Sequence, residues 1–237
     1  MTMLMALDPM ALVRSLPGNV AQGLIWGIMA LGVYITFRIL DFADLTVDGS
    51  LATGGAVAVM LIQGGMHPAL SLIFAFLAGM AAGFVTGFLH TALGIPGILA
   101  SILTQISLYS VNLGIMGKAN QSMGIGQKGL VASARYVTAD NSYIFFIGLI
   151  LGCLVLVAVV YWLFGTELGA SIRATGCNPQ MASAQGINTN FCKVIALMIS
   201  NGLVGLCGGV YAQYQGAADV NAGRGAIVIG LAAVIIS

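Results

Sequence analysis

The stretch GTELGASIRATGCNPQMASAQGIN, residues 165–188, holds a glutamate, an arginine, two asparagines and a proline. On either side the chain is apolar, over 142–164 and 193–215. Each flank has the roughly 20 residues a helix needs to cross the hydrocarbon core of a bilayer. The polar stretch is therefore an island between two membrane spans. The same reading extends to the rest of the chain, with further apolar runs at 20–37, 46–63, 69–93 and 95–116. Charged residues are only 6% of the 237, against roughly 25% in a soluble domain, too few to coat a soluble surface. A transmembrane barrel needs alternating segments of about 10 residues, whereas these runs are continuous and longer. The expected fold is an all-α polytopic transmembrane helical bundle.

A last apolar run begins near Gly225 and stops at Ser237. It is too short to cross, and the chain closes on LAAVIIS with no polar flank, so the natural protein is expected to continue. At the other end, MTMLMALDPMALVRSLP lacks the basic start of a signal peptide. Pro17 and Gly18 are expected to break the chain before the first long run. The net charge of +1 points to no nucleic-acid partner. Cys153, Cys177, Cys192 and Cys207 have no CxxC spacing and read as free thiols used as small hydrophobes. Several runs carry glycines four residues apart: Gly23/Gly27, Gly79/Gly83/Gly87 and Gly148/Gly152. This spacing puts them on one helix face and predicts close helix packing.

Two segments resemble each other. GLIWGIMALGVY (23–34) is similar to GLVGLCGGVY (202–211), and an aspartate follows each, Asp41 and Asp219. GSLATGGAVAV (49–59) is similar to GAIVIGLAAVI (225–235). The alternative is a chance match in a glycine-rich chain; read as a repeat it would be inverted, because four runs separate the first helices of the two copies. Inverted repeats with broken helices mark transporters, with the pathway where the two halves meet.

The densest charge cluster is FRILDFADLTVDGS (37–50), with Arg38, Asp41, Asp44 and Asp48. One reading is a solvated loop in which Asp48 or Ser50 caps the next helix. The other is a broken connection beside the pathway, with the helix from Gly49 aiming its positive N-terminus at a passing polar group. Its counterpart in the second half is ADVNAGRGAI, with Asp219 and Arg224. The loop at 117–141 contains GIGQKG (124–129), formally G-x-G-x-x-G, but it lies between spans rather than between a strand and a Rossmann helix. Nothing in the chain matches a phosphate-binding G-x-x-x-x-G-K-[ST]. Lys118, Lys128 and Arg135 make this loop basic. His67 and His90 stand alone, and the sequence offers no nucleophile or metal set, so no enzyme is expected.

The island itself reads as two short helices. Gly165 and Thr166 stop the preceding span, and ELGASIRAT follows until Gly176 breaks it. Asn178 is then a strong N-cap, and Pro179 suits the first helical position. PQMASAQ makes about two turns, and Gly186 supplies a left-handed C-terminal residue. Such definition suits a knob for a partner, the alternative being a tidy connecting loop.

This island resembles the cytoplasmic loop of ABC-importer membrane subunits of the branched-chain amino acid and ribose permease type. The residues that match the pattern are Arg173, Ala174, Gly176, Asn178, Pro179, Ala182, Gly186, Ile187 and Asn188. Residues 23–59 also resemble the family's first conserved block, and DLTVDGS is similar to a subgroup grouped with aromatic amino acid importers. The resemblance covers roughly 20–237, and one or two final helices of the family are absent.

The resemblance implies a single permease domain over 1–237, with a first repeat at about 20–116 and a second at about 142–237. It implies a multi-pass protein of the bacterial cytoplasmic (inner) membrane, in contact with lipid. The short helix, including Met181 and Gln185, would be the coupling helix that seats in a separate ATPase, which binds ATP and Mg. No cofactor is expected in this chain. A second permease copy, identical or not, would complete a central pathway lined by Asp44, Thr46, Asp48, Gly49, Ser50, Thr53, Ser101, Asp219 and Arg224. An extracytoplasmic solute-binding protein would dock through Lys128 and Arg135. A cytoplasmic 165–192 places the N-terminus outside, 38–48 inside and 117–141 outside. Cation counting weakly disagrees: Arg38, Arg173 and Lys193 inside, against Arg14, Lys118, Lys128, Arg135 and Arg224 outside. The cargo implied is a small polar solute, an amino acid by the subgroup. The alternatives are a sugar or nucleoside in the same machine, or an ATPase-independent secondary transporter.

Overall fold

The computed structural model describes residues 9–123 and 142–236. Its long helices fall where the apolar runs place them. Helix α1 (Pro9–Tyr34) continues as a π-helix (Ile35–Ile39). There follow α2 (Thr46–Gln63), α3 (Pro68–Thr91), α4 (Gly97–Met116) and α5 (Ser142–Gly165). The island forms α6 (Glu167–Cys177) and α7 (Pro179–Ala184), and the chain ends with α8 (Thr189–Gln215) and α9 (Ala226–Ile236). Six of these are long and apolar enough to cross a membrane. The protein is thus an all-α polytopic bundle. Its short antiparallel ladder joins β1 (Asn120–Ser122) to β2 (Ala217–Asp219).

Helix α8 is the axis of the bundle. Ser200 donates to the Gly32 carbonyl, Cys207 to Ile25 and Tyr214 to Gly18, so α1 runs antiparallel to α8. Helix α3 also runs antiparallel: Gly79, Gly83 and Gly87 meet the α8 backbone at Asn201, Leu197 and Val194 in turn. A Cβ at Gly83 would strike the Leu197 carbonyl. Helix α2 runs parallel to α8, with Ser50 bonded to Asn201, Gly54 against the backbone of Gly205 and Ala58 beside Gly209. Lipid gives apolar helices no reason to desert it, so close backbone approach between small residues supplies the packing. The core beside these contacts holds Ile25, Met29, Val47, Leu51 and Val204, all at most 1% exposed.

Three local expectations are corrected. Helix α1 does not start after Pro17–Gly18 but runs through them; proline's fixed φ suits a helix, and the cost is one backbone bond. Gly23, Gly27, Gly148 and Gly152 do not line helix contacts, because no described atom lies where their Cβ would be crowded. Only the α3 set of the three glycine rows packs against a neighbour. Gly176 does not break the first island helix, which continues to Cys177. Its missing side chain instead admits the Ile39 carbonyl, locking α6 to the end of the π-helix.

Two substitutions separate these glycine classes. Gly83→Ala is expected to cost about 1–3 kcal/mol through overpacking. Gly148→Ala is expected to leave stability unchanged or raise it by up to about 1 kcal/mol, as alanine favours a helix. Thermal unfolding in detergent micelles checks both; equal effects would contradict the packing described.

Candidate functional site

The island is a chain of caps. Thr166 begins α6, its Oγ1 accepting from the Gly169 N–H at 3.4 Å. Asn178 is extended, ends α6 and starts α7. Its Oδ1 accepts from the N–H groups of Gln180 (3.1 Å) and Met181 (3.0 Å), and Pro179 follows at the first helical position. At the far end Gly186 is left-handed, with φ of +84°. There the Ile187 N–H reaches the Ala182 carbonyl and the Gly186 N–H reaches Ser183, the paired bonds of a Schellman motif. Asn188 then caps α8 through the Phe191 N–H at 3.2 Å. The island caps expected at Asn178, Pro179 and Gly186 are formed. Ala182 is buried under the short helix, while Met181 is 63% exposed, and Arg173, Pro179, Gln180 and Gln185 are exposed too. The island sits at the bundle end that carries Arg38 and Asp41, through the Gly176–Ile39 contact.

A second group lies inside the bundle. The connection 40–45 turns back inward, because Asp44 bonds Asn201. Asn201 is twelve residues past the start of α8 at Thr189, about 18 Å along its axis. Asn201 Nδ2 donates to Asp44 Oδ2 at 2.6 Å and to the Leu197 carbonyl at 3.1 Å, and its Oδ1 accepts from Ser50 Oγ at 2.6 Å. Asp44 Oδ1 accepts from the Thr46 N–H at 2.9 Å, and the Thr46 and Thr86 hydroxyls share a 2.8 Å bond. This ties α2, α3 and α8 at one level. Thr53 and Ser101 bond carbonyls of their own helices, Gly49 and Ile98. Asp44, Thr46, Ser50, Thr53 and Ser101 are all buried between helices, none more than 4% exposed.

The third group surrounds Asp48. Neither Asp48 nor Ser50 caps α2, as one reading expected: α2 starts at Thr46 with no side-chain cap at its N-cap, Leu45. The first α2 amide is held by Asp44. Asp48 instead serves α9. Its Oδ2 accepts from the Gly225 N–H at 3.2 Å and its Oδ1 from Ile227 at 2.9 Å. Gly223 packs on the Asp48 backbone, where a Cβ would meet the Asp48 carbonyl. The segment after β2 therefore descends beside α2 and starts α9 at the level of Asp48. Asp219 shapes that descent, its Oδ1 accepting from the Asn221 N–H at 2.8 Å. Arg224 accordingly stands beside Asp48.

Asp48, Gly49 and Arg224 line a cavity of about 470 Å³ between α2, α4 and the descending segment. The other walls include Gln105, Ile106, Tyr109 and Asn112 of α4. The Arg224 guanidinium lies 5.9 Å from the centre of the Tyr109 ring. The sequence reading passed over Gln105, Tyr109, Asn112 and Asn201. Their one signal was polarity within otherwise apolar runs. Lys128 and Arg135, expected at a docking surface, lie outside the described residues. Within the described residues, no group of three or more His, Cys, Asp or Glu could hold a metal.

Comparison with known proteins adds the following. Residues 18–237 match a family model described as branched-chain amino acid transport system / permease component. The chain is 40% identical over 216 residues to a tyrosine transport system permease protein of Clostridioides difficile, covering 91% of this chain and 70% of that protein. It is 38% identical to an uncharacterised protein of Rickettsia prowazekii, covering 91% of this chain and 74% of the other. It is 32% identical to the autoinducer 2 import system permease protein LsrC of Yersinia pseudotuberculosis, covering 81% of this chain and 53% of that one. No solved structure matches.

Asn201 and Thr53 provide a test of the polar layer. Asn201→Ala strips the buried Asp44 carboxyl and Ser50 hydroxyl of a partner and is expected to cost about 1–3 kcal/mol or more. Thr53→Val removes a hydroxyl that bonds only its own helix and is expected to cost under about 1 kcal/mol, as partner and hydroxyl leave little unpaired. Unfolding midpoints of the two variants in micelles measure the difference.

Proposed function

The chain belongs to the family of branched-chain amino acid transport system permease components, and from that premise we propose that it is the membrane subunit of a binding-protein-dependent ABC importer moving an amino acid into the bacterial cytoplasm. The observation that carries this reading is the short helix α7. It is fixed at both ends by its own caps, anchored by Ala182 and otherwise exposed. In a connecting loop, exposed Met181 and a fully formed cap at each end serve no purpose; at an interface they present a rigid apolar knob.

On this reading two permease copies meet around a central pathway, and each takes one ATPase on its α7. The ATPases hold ATP and Mg. Their closure pushes α7, and the motion passes to α6 and, through the backbone contact of Gly176 with Ile39, to the π-helix and the connection 40–45. Asp44 and Asn201 link that connection to α8, so a push at the membrane surface reaches the bundle centre through groups already bonded. A solute-binding protein on the opposite face delivers cargo, docking on the basic 117–141 loop. The chain's own part is to move, with no bond made or broken. The name of the tyrosine permease relative favours an amino acid. The autoinducer 2 relatives favour a second reading, in which the same machine takes a different small polar solute. Their identity is lower, and this chain spans about half their length.

Reconstitution of the permease with its ATPases and binding protein in proteoliposomes tests the proposal by ATP-driven uptake of L-tyrosine. Replacing Asn178 and Pro179 together by glycine is expected to reduce ATPase co-purification and uptake at least tenfold while the six spans stay folded. Normal uptake by permease alone, without ATPase or ATP, would overturn the importer reading in favour of a secondary transporter.

A further inference from the structure

The cavity beside Asp48 contains a side chain that the protein leaves unsatisfied. Asn112, on α4, is 1% exposed, and neither its Nδ2 nor its Oδ1 has a hydrogen-bond partner. A buried amide without partners costs about 1–3 kcal/mol, and here that cost falls at the wall of a 470 Å³ space. Small-molecule sites occupy roughly 300–1,000 Å³, mostly apolar with a few placed polar groups. The walls match that description: Ile106 and the Tyr109 ring are apolar, while Asp48, Gln105, Asn112 and Arg224 are polar.

The charges define what such a space accepts. Asp48 is acidic and Arg224 basic, so the site is balanced. Asp48 already accepts two amide N–H groups from the start of α9 and keeps further acceptor capacity on both oxygens. Arg224 rests over Tyr109 at 5.9 Å, which leaves the in-plane donors of its guanidinium for a carboxylate. Asn112 carries one donor group and one acceptor, both unbonded and both buried at the wall. A solute carrying both an ammonium and a carboxylate finds a partner for each. A purely cationic or purely anionic solute leaves one wall charge unanswered.

From this we infer that the cavity between α2, α4 and residues 220–225 is a transport subsite for a zwitterionic amino acid, with Asn112 and Arg224 holding its head group and Ile106 and Tyr109 facing its apolar side chain. The inference rests on the amino-acid importer reading above and adds the place and the chemistry of recognition. Asn112 is a binding residue here rather than a packing residue, and this has an unusual consequence. Replacing an unsatisfied buried amide by an apolar group of similar size relieves the protein, so one substitution is expected to protect the fold and injure transport.

The test uses the complete reconstituted importer with L-tyrosine and its decarboxylated analogue tyramine as probes. The binding protein is the same throughout, so differences between permease variants belong to the permease. Asn112→Leu is expected to reduce tyrosine uptake kcat/KM at least tenfold while the unfolding midpoint stays level or rises. Arg224→Gln is expected to reduce the preference for tyrosine over tyramine at least fivefold. Should Asn112→Leu destabilise the bundle, Asn112→Ser replaces it, with the same expected loss of uptake. Wild-type tyrosine import with variants within twofold of it would overturn the subsite and leave the importer standing, as a cavity holding only water predicts. A wild-type importer that carries no amino acid would overturn both.

Discussion

The arrangement depends on backbone contact along α8. Apolar side chains gain nothing by leaving lipid for one another, so spans associate only where atoms fit closely or polar groups pair. Helix α8 meets α3 through Gly79, Gly83 and Gly87 and meets α2 through Gly54, Gly205 and Gly208. With Cβ atoms removed from these faces, carbonyl oxygens of one helix lie where the side chains of the other would be. That closeness is what brings short polar side chains within bonding distance of a neighbouring helix. Ser50 reaches Asn201 across the α2–α8 contact at 2.6 Å, and Thr46 reaches Thr86 at 2.8 Å. The polar layer and the glycine contacts are therefore one feature: a larger residue at Gly54 would open the layer as well as the packing.

Two interruptions of regular helix follow from the same economy of polar groups. The connection 40–45 and the segment 220–225 both turn into the bundle, where water cannot satisfy backbone amides. Each interruption is answered by an aspartate. Asp44 holds the first α2 amide through Thr46, and Asp48 holds the start of α9 through Gly225 and Ile227. A carboxyl at a helix N-terminus also meets the positive end of the helix dipole. The aspartates of the DLTVDGS stretch are thus partners of specific backbone N–H groups, which explains how a chain with so few charges keeps two within four residues near its centre.

Much of this was legible in the residues. Continuous apolar runs gave the spans to within a few residues, because a length of bilayer sets a length of helix. The caps Asn178 and Gly186 were legible because capping is local chemistry read over three or four positions. What failed was whatever depends on a distant neighbour. Gly176 looks like a helix breaker until Ile39 is seen against it; Gly148 looks like a packing glycine until its face proves open. Asp48 stands two residues into α2, and its partners lie some 180 residues away. No local rule marks Asn112 at all, since its character comes from the lack of a partner.

That lack also sorts the polar residues of the bundle into two kinds. Asp44, Thr46, Ser50 and Asn201 are buried and bonded to protein, so a passing solute would have to break existing bonds to use them. Their bonds hold three helices at one level. Asp48, Asn112 and Arg224 line open volume, and neither polar atom of Asn112 is bonded. Of these, Asp48 is already bonded to the start of α9, while Asn112 has no bond for a solute to displace. Satisfaction, rather than polarity or burial, is then the property that separates Asn112 from the groups that support the bundle. In a chain this poor in charge the two kinds lie within a few residues of each other on α2. Asp44, just before that helix, and Ser50, on it, are bonded inside the bundle, and Asp48 lines the cavity, so α2 joins the polar layer directly to the cavity wall.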